Sequence, residues 1–132
     1  MNVASAFIAA QELAPRMAKA GGGDIVLLGA LDRTQSLPLP AAFAASQGAL
    51  AALAMALAKE LGPKGVLVNM LAVGPLNEGL SRGLDPKLLE DYKTYSALRR
   101  TGTAAEVARA VRWLALENSY MCGKVVPVNG GI

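Results

Sequence analysis

Leu57-Ala58-Lys59-Glu60-Leu61-Gly62-Pro63-Lys64-Gly65-Val66-Leu67-Val68-Asn69 holds a helix end, a break and a strand start in one run. Upstream, Ala41 to Leu61 is long, alanine-rich and free of internal Pro, and Gly62-Pro63 closes it. That composition and stop predict a strong helix. Downstream, Val66 to Leu71 is short, apolar and β-branched at alternate positions. Such a run predicts a strand. The unit is therefore helix, tight turn, strand.

The same pattern extends in both directions. Val3 to Ala20 reads as a helix, with Phe7, Ala10, Leu13, Ala14 and Met17 at helical spacing and Asn2 as its N-cap. Pro15 should kink it or be tolerated near a turn, and Gly21-Gly22-Gly23 should stop it. Asp24 to Leu28 then reads as a buried parallel strand. Beyond Gly74-Pro75 the chain turns polar, and Pro86 to about Leu98 reads as a short helix. Thr103-Ala104-Ala105-Glu106 is a capping-box start for a helix reaching about Leu116. Lys124 to Val128 is a third strand, closed by Asn129-Gly130-Gly131. Helices alternating with short strands give an α/β fold with a parallel sheet and right-handed crossovers. Residues 1–132 read as one domain of about three parallel strands with flanking helices. The Asp24 to Leu28 strand has no second neighbour within the sequence, and a bare apolar edge is an aggregation hazard.

Composition narrows the chemistry. Apolar residues make up 53% and charged residues 17%, a core-rich balance whose excess suits a partner interface. The net charge of +3 comes from scattered Lys and Arg, with few aromatics, which argues against a nucleic-acid surface. There is no histidine. This removes histidine-based triads and most zinc or haem sites. The single cysteine, Cys122, reads as a small buried hydrophobe. The longest apolar stretch, Ala41 to Ala58, is interrupted by Ser46, Gln47 and Gly48, and the N-terminus has no secretory pattern. No membrane association and a cytoplasmic location are expected.

Several segments together resemble the C-terminal half of the short-chain dehydrogenase/reductase family. Asn2-Val3-Ala4-Ser5-Ala6-Phe7 is similar to the segment holding the family's catalytic asparagine. Gly23 to Leu28 resembles the strand leading to its catalytic serine. Ala41-Ala42-Phe43-Ala44-Ala45-Ser46-Gln47-Gly48-Ala49-Leu50 resembles its Tyr-x-x-x-Lys helix, and Leu57 to Asn69 continues the likeness. Arg99 to Ala108 and Val128-Asn129-Gly130-Gly131 are similar to its last helix and strand. The resemblance implies a truncated Rossmann-like fold lacking the N-terminal dinucleotide-binding half. Gly21 to Gly23 follows a helix and precedes a strand, the wrong order for a phosphate loop, and reads as a helix C-cap.

The resemblance also implies which positions would do chemistry, and three hold inert residues. Phe43 stands at the tyrosine position, and a phenyl ring has no proton to give. Gln47 stands at the lysine position, so the charge that would hold ribose and lower the tyrosine pKa is missing. Ala30, thirteen residues before Phe43, stands at the serine position. Asn2 retains the asparagine. Val73 replaces a turn proline, Gly74 is kept, and Glu78 stands near a threonine that would touch nicotinamide. Ser36 and Ser46 have no histidine base and read as loop and helix-surface residues. Tyr92, Tyr95 and Tyr120 read as packing or surface residues. Lys87, Glu90, Asp91 and Lys93 read as a solvated helix face.

No catalytic, cofactor-binding or metal-binding residue is therefore expected in this chain, and any NAD(P) would belong to a partner subunit. In the family, helices equivalent to 3–20 and 41–61 pair across a two-fold axis, and small residues such as Ala44, Ala45, Gly48 and Ala52 permit close approach. The expected function is a non-catalytic subunit that assembles with, and stabilises or modulates, an active NAD(P)-dependent short-chain dehydrogenase. Its segment 74–98 would help shape that partner's pocket, and a homo-oligomer is the other assembly. Two alternatives stay open: half of a split or atypical NAD(P)-dependent oxidoreductase, and a non-functional truncated gene product.

Overall fold

The computed structural model describes residues 2–30 and 39–132. Its elements are α1 (Asn2–Lys19), β1 (Gly23–Gly29), α2 (Ala41–Leu61), β2 (Val66–Val73), α3 (Pro86–Tyr95), α4 (Ala104–Leu116) and β3 (Val125–Val128), with short 3-10 turns at Gly62–Lys64 and Gly79–Gly83. The three strands form one parallel sheet in the order β1-β2-β3. This is the expected α/β architecture. β1 and β2 each run further than their apolar cores suggested, and they pair from Gly23↔Val66 to Gly29↔Ala72.

β2 is the hub. Val66, Val68, Asn69, Met70, Leu71 and Ala72 are all 2% exposed or less. Val66, Val68 and Met70 face α1 and α2, where they join Ala10, Ala14, Leu50, Ala54, Leu57, Ala58 and Leu61 in one core cluster. Side chains alternate along a strand, so Asn69 and Leu71 point to the other face, where α4 crosses β1 and β2. Asn69, the polar member of the strand, is satisfied. Its Nδ2 donates to the Met121 carbonyl at 2.8 Å, and its Oδ1 accepts from the Lys124 amide at 3.1 Å. One buried amide thus anchors the loop that delivers β3.

Several local expectations change. α1 begins at Asn2 itself, so Asn2 is the first helical residue and not the cap. α1 runs unbroken through Pro15 to Lys19. Pro15 lies on the exposed side of the helix. α3 stops at Tyr95, short of Leu98, because Ser96 turns to extended backbone. Cys122 is half-buried, and its sulfur accepts from the Val68 amide at 3.5 Å. Ser36 lies outside the described residues. The glycine turn at 21–23 behaves as a C-cap: Gly22 donates to the Met17 carbonyl at 2.9 Å, and all three glycines have positive φ. A Cβ on Gly22 would strike the Gly65 carbonyl, so these glycines serve turn-against-turn packing.

The capping box of α4 is present in full. The Thr103 hydroxyl accepts from the Glu106 amide at 3.3 Å, and Glu106 Oε2 accepts from the Thr103 amide at 2.9 Å. Arg100 adds a two-pronged contact to the same carboxylate at 2.6 and 3.0 Å. The Arg100 guanidinium first, then the Thr103 hydroxyl and amide, hold the Glu106 carboxyl at about 2, against an ordinary 4.5. A depressed carboxyl stabilises the fold above its unfolded value and loses that contribution as pH falls toward its folded one. Glu106→Gln should therefore flatten the dependence of the urea midpoint on pH between about 5 and 2, measured by circular dichroism. Thr103→Ala should lower stability at neutral pH by about 1 kcal/mol.

Candidate functional site

The residues singled out from the sequence converge. Asn2, Ala30, Phe43 and Gln47 line one open cleft of about 510 Å³ at the carboxyl end of β1, together with Ser5, Ala6, Leu27, Leu28, Gly29, Leu50 and Leu80. In open α/β sheets this is where ligands bind. β1 delivers Ala30 at its end, α2 supplies Phe43 and Gln47 one helical turn apart, and α1 brings the start of its first turn to the rim. The positions that the resemblance marks are thus assembled, and their chemistry can be read directly.

The lining is mostly hydrocarbon. Phe43 is half-buried, and its carbonyl accepts from the Ser46 hydroxyl at 2.7 Å. Ala30 offers only a methyl group and backbone. Gln47 is 4% exposed. Its Oε1 accepts from the Ala30 amide at 2.9 Å, so the side chain turns back onto β1. Asn2 is exposed, and its carbonyl accepts from the Ser5 hydroxyl at 3.1 Å. Among the described residues, no Lys, Arg, Asp or Glu lines the cleft. Proton transfer needs a group that can hold and release a proton near neutral pH, and no described lining side chain is one.

The same lining bears on a dinucleotide. A pyrophosphate needs a glycine loop opening a helix N-terminus, or cations. The positive-φ glycines at 21–23 close a helix and pack on Gly65. Gln47 carries no charge and has its oxygen engaged. The described residues of the cleft therefore do not fit the group.

Four residues acquire roles that spacing alone did not show. Gly29 faces Gln47, Leu50 and Met70, and a Cβ there would run into the Met70 methyl and lie 2.9 Å from Gln47 Oε1. Glu78 accepts from the Ala104 amide at 3.3 Å, so it tends the N-terminus of α4. Tyr92 is 1% exposed and its hydroxyl donates to the Asn129 carbonyl. Burial pushes that phenol up. Gly74 makes room for it, since a Cβ there would strike the Tyr92 hydroxyl. Tyr95 and Tyr120 are exposed, Ser46 is half-buried on α2, and Lys93 pairs with Glu90 at 3.2 Å on the open face of α3. Of segment 74–98, Leu80 alone reaches the cleft among the described residues.

Comparisons with known proteins agree on one family. Residues 1–132 match the family model described as enoyl-(acyl carrier protein) reductase. The chain is 34% identical over 132 residues to the 3-oxoacyl-[acyl-carrier-protein] reductase MabA of Mycobacterium avium, covering 99% of this chain and 52% of that protein. It is 35% identical over 133 residues to an NADPH-dependent aldehyde reductase-like protein, chloroplastic, of Arabidopsis thaliana, covering 99% of this chain and 49% of that one. The crystal structure of a 3-oxoacyl-[acyl-carrier protein] reductase from Brucella melitensis superposes with a TM-score of 0.90 at 30% identity, over 99% of this chain and 50% of that one. The chain thus spans about half the length of the curated relatives it matches. Titrating the purified chain with NADPH and following nicotinamide fluorescence should give a linear, unsaturating response. A saturable change at micromolar nucleotide would contradict the reading of the cleft.

Proposed function

The chain belongs to the short-chain dehydrogenase/reductase family, and from that premise we propose that it is a non-catalytic member. It assembles with an active NAD(P)-dependent short-chain dehydrogenase and stabilises or modulates it. The observation that carries this reading is the cleft. Ala30, Phe43 and Gln47 stand together where the family places serine, tyrosine and lysine, and none can exchange a proton with a substrate. Losing one donor of such a set costs orders of magnitude in rate, and here three are replaced. The core around them is intact, so the replacement is specific.

The assembly surface is supported by what α1 and α2 leave uncovered. Ala41–Lys64 is long and apolar enough to cross a membrane by length and composition alone, yet only 28% of its most apolar window is buried within the chain. Its inner side packs on β2 through Leu50, Ala54, Leu57 and Leu61, and much of the rest of the helix is left uncovered. Beside it, Phe7, Ile8 and Leu13 of α1 are 47%, 57% and 51% exposed. Exposed apolar side chains on both flanks of α1 suit an interaction site, and a second helix pair could lie against it.

The chain should be co-expressed with full-length short-chain dehydrogenases of its own source and the products analysed by native mass spectrometry. A hetero-oligomer is expected, and Ile8→Asp should abolish it while leaving the circular dichroism of the lone chain unchanged. A lone monomer or a homo-oligomer with every candidate would overturn the heteromeric reading. In the complex, Phe43→Ala should leave kcat within about twofold, because a group without a transition-state contact does not change it. A larger fall would favour the half-enzyme alternative.

A further inference from the structure

We propose that position 47 has become a backbone acceptor that completes the end of β1, with Gly29 as the residue that admits it, so that Gln47 is a positioning residue for the cleft floor. β1 follows β2 as far as Gly29↔Ala72. One residue on, the strand has left the ladder, and the Ala30 amide donates instead to Gln47 Oε1 at 2.9 Å, across 17 positions of sequence. A part-buried N–H at a strand end must find an acceptor, and the glutamine oxygen is in the place a next carbonyl would occupy. The family's lysine could not do this, because an ammonium has donors only. Glutamine is thus a change of function at this position and not only a loss of charge.

Gly29 completes the argument. Gln47 is 4% exposed, so it needs room inside the fold. That room lies over Gly29, where a Cβ would stand 2.9 Å from Gln47 Oε1 and 3.4 Å from Leu50 Cδ2, and would run into the Met70 methyl. Gly29 and Gln47 are therefore coupled through one small volume. Replacing Gln47 with lysine would remove the acceptor and bury an ammonium against an N–H donor. The bond lies within the lone chain and needs no partner subunit.

Hydrogen exchange of the Ala30 amide, resolved by NMR on the full chain, tests it. Slow exchange is expected in the wild type. Gln47→Met keeps the volume and removes the acceptor, and should speed Ala30 exchange by about tenfold or more while the Ile25 amide, mid-strand, keeps its rate. Gly29→Ala should speed it similarly, and the double variant should add little to either single one. Gln47→Glu keeps the acceptor, so the Ala30 amide shift should follow the titration of the introduced carboxyl. That experiment decides the matter if Gln47→Met does not fold. Unchanged Ala30 protection in Gln47→Met, or an Ala30 shift that ignores the carboxyl in Gln47→Glu, would overturn the proposal.

Discussion

Burial of β2 on both faces is the constraint on which the rest depends. A strand with six of its eight residues buried needs a neighbour on each edge and helices on each face. β1 and β3 take the edges, α1 and α2 take one face, and α4 crosses the other. Burying a polar group without a partner is costly, and Asn69 meets that condition by holding the Met121–Lys124 loop. The third strand is therefore tied to the hub before its own short ladder begins. At the far end of the same sheet, Tyr92 closes onto Asn129, so both ends of the final segment are fastened.

The free side of β1 is the exception. Its pairing to β2 is continuous, while its other edge has no strand among the described residues. Leu28 is 58% exposed there. The strand's carboxyl end is also where the cleft opens. Two demands meet at Ala30: the strand must end without an orphan amide, and the cleft floor must be fixed. Gln47 meets both by reaching inward. In doing so it commits its oxygen to β1, and neither Phe43 nor Ala30 has a proton to give.

The parts legible in the sequence were those set by local pattern. The apolar run at Val66, the Gly62-Pro63 stop and the Thr103–Glu106 box each act over a few residues, and each forms as read. That Ala30, Phe43 and Gln47 share one cleft follows the positions that the resemblance picked out. What the sequence could not show was contact over distance. The bond between Gln47 and Ala30, the room that Gly29 makes for it and the seating of Tyr92 against Gly74 all depend on how the sheet brings separate segments together. Asn2 was misread as a cap for a related reason: a good capping side chain fits either side of a helix start, and only the backbone decides.

The central claim is that the positions once given to chemistry now hold the fold. The most direct measurement is the urea midpoint of the variant Ala30→Ser/Phe43→Tyr/Gln47→Lys against the wild type. The account predicts a clear fall, since the variant loses the acceptor at the end of β1 and buries an unpaired ammonium. A midpoint equal to or above that of the wild type would contradict it.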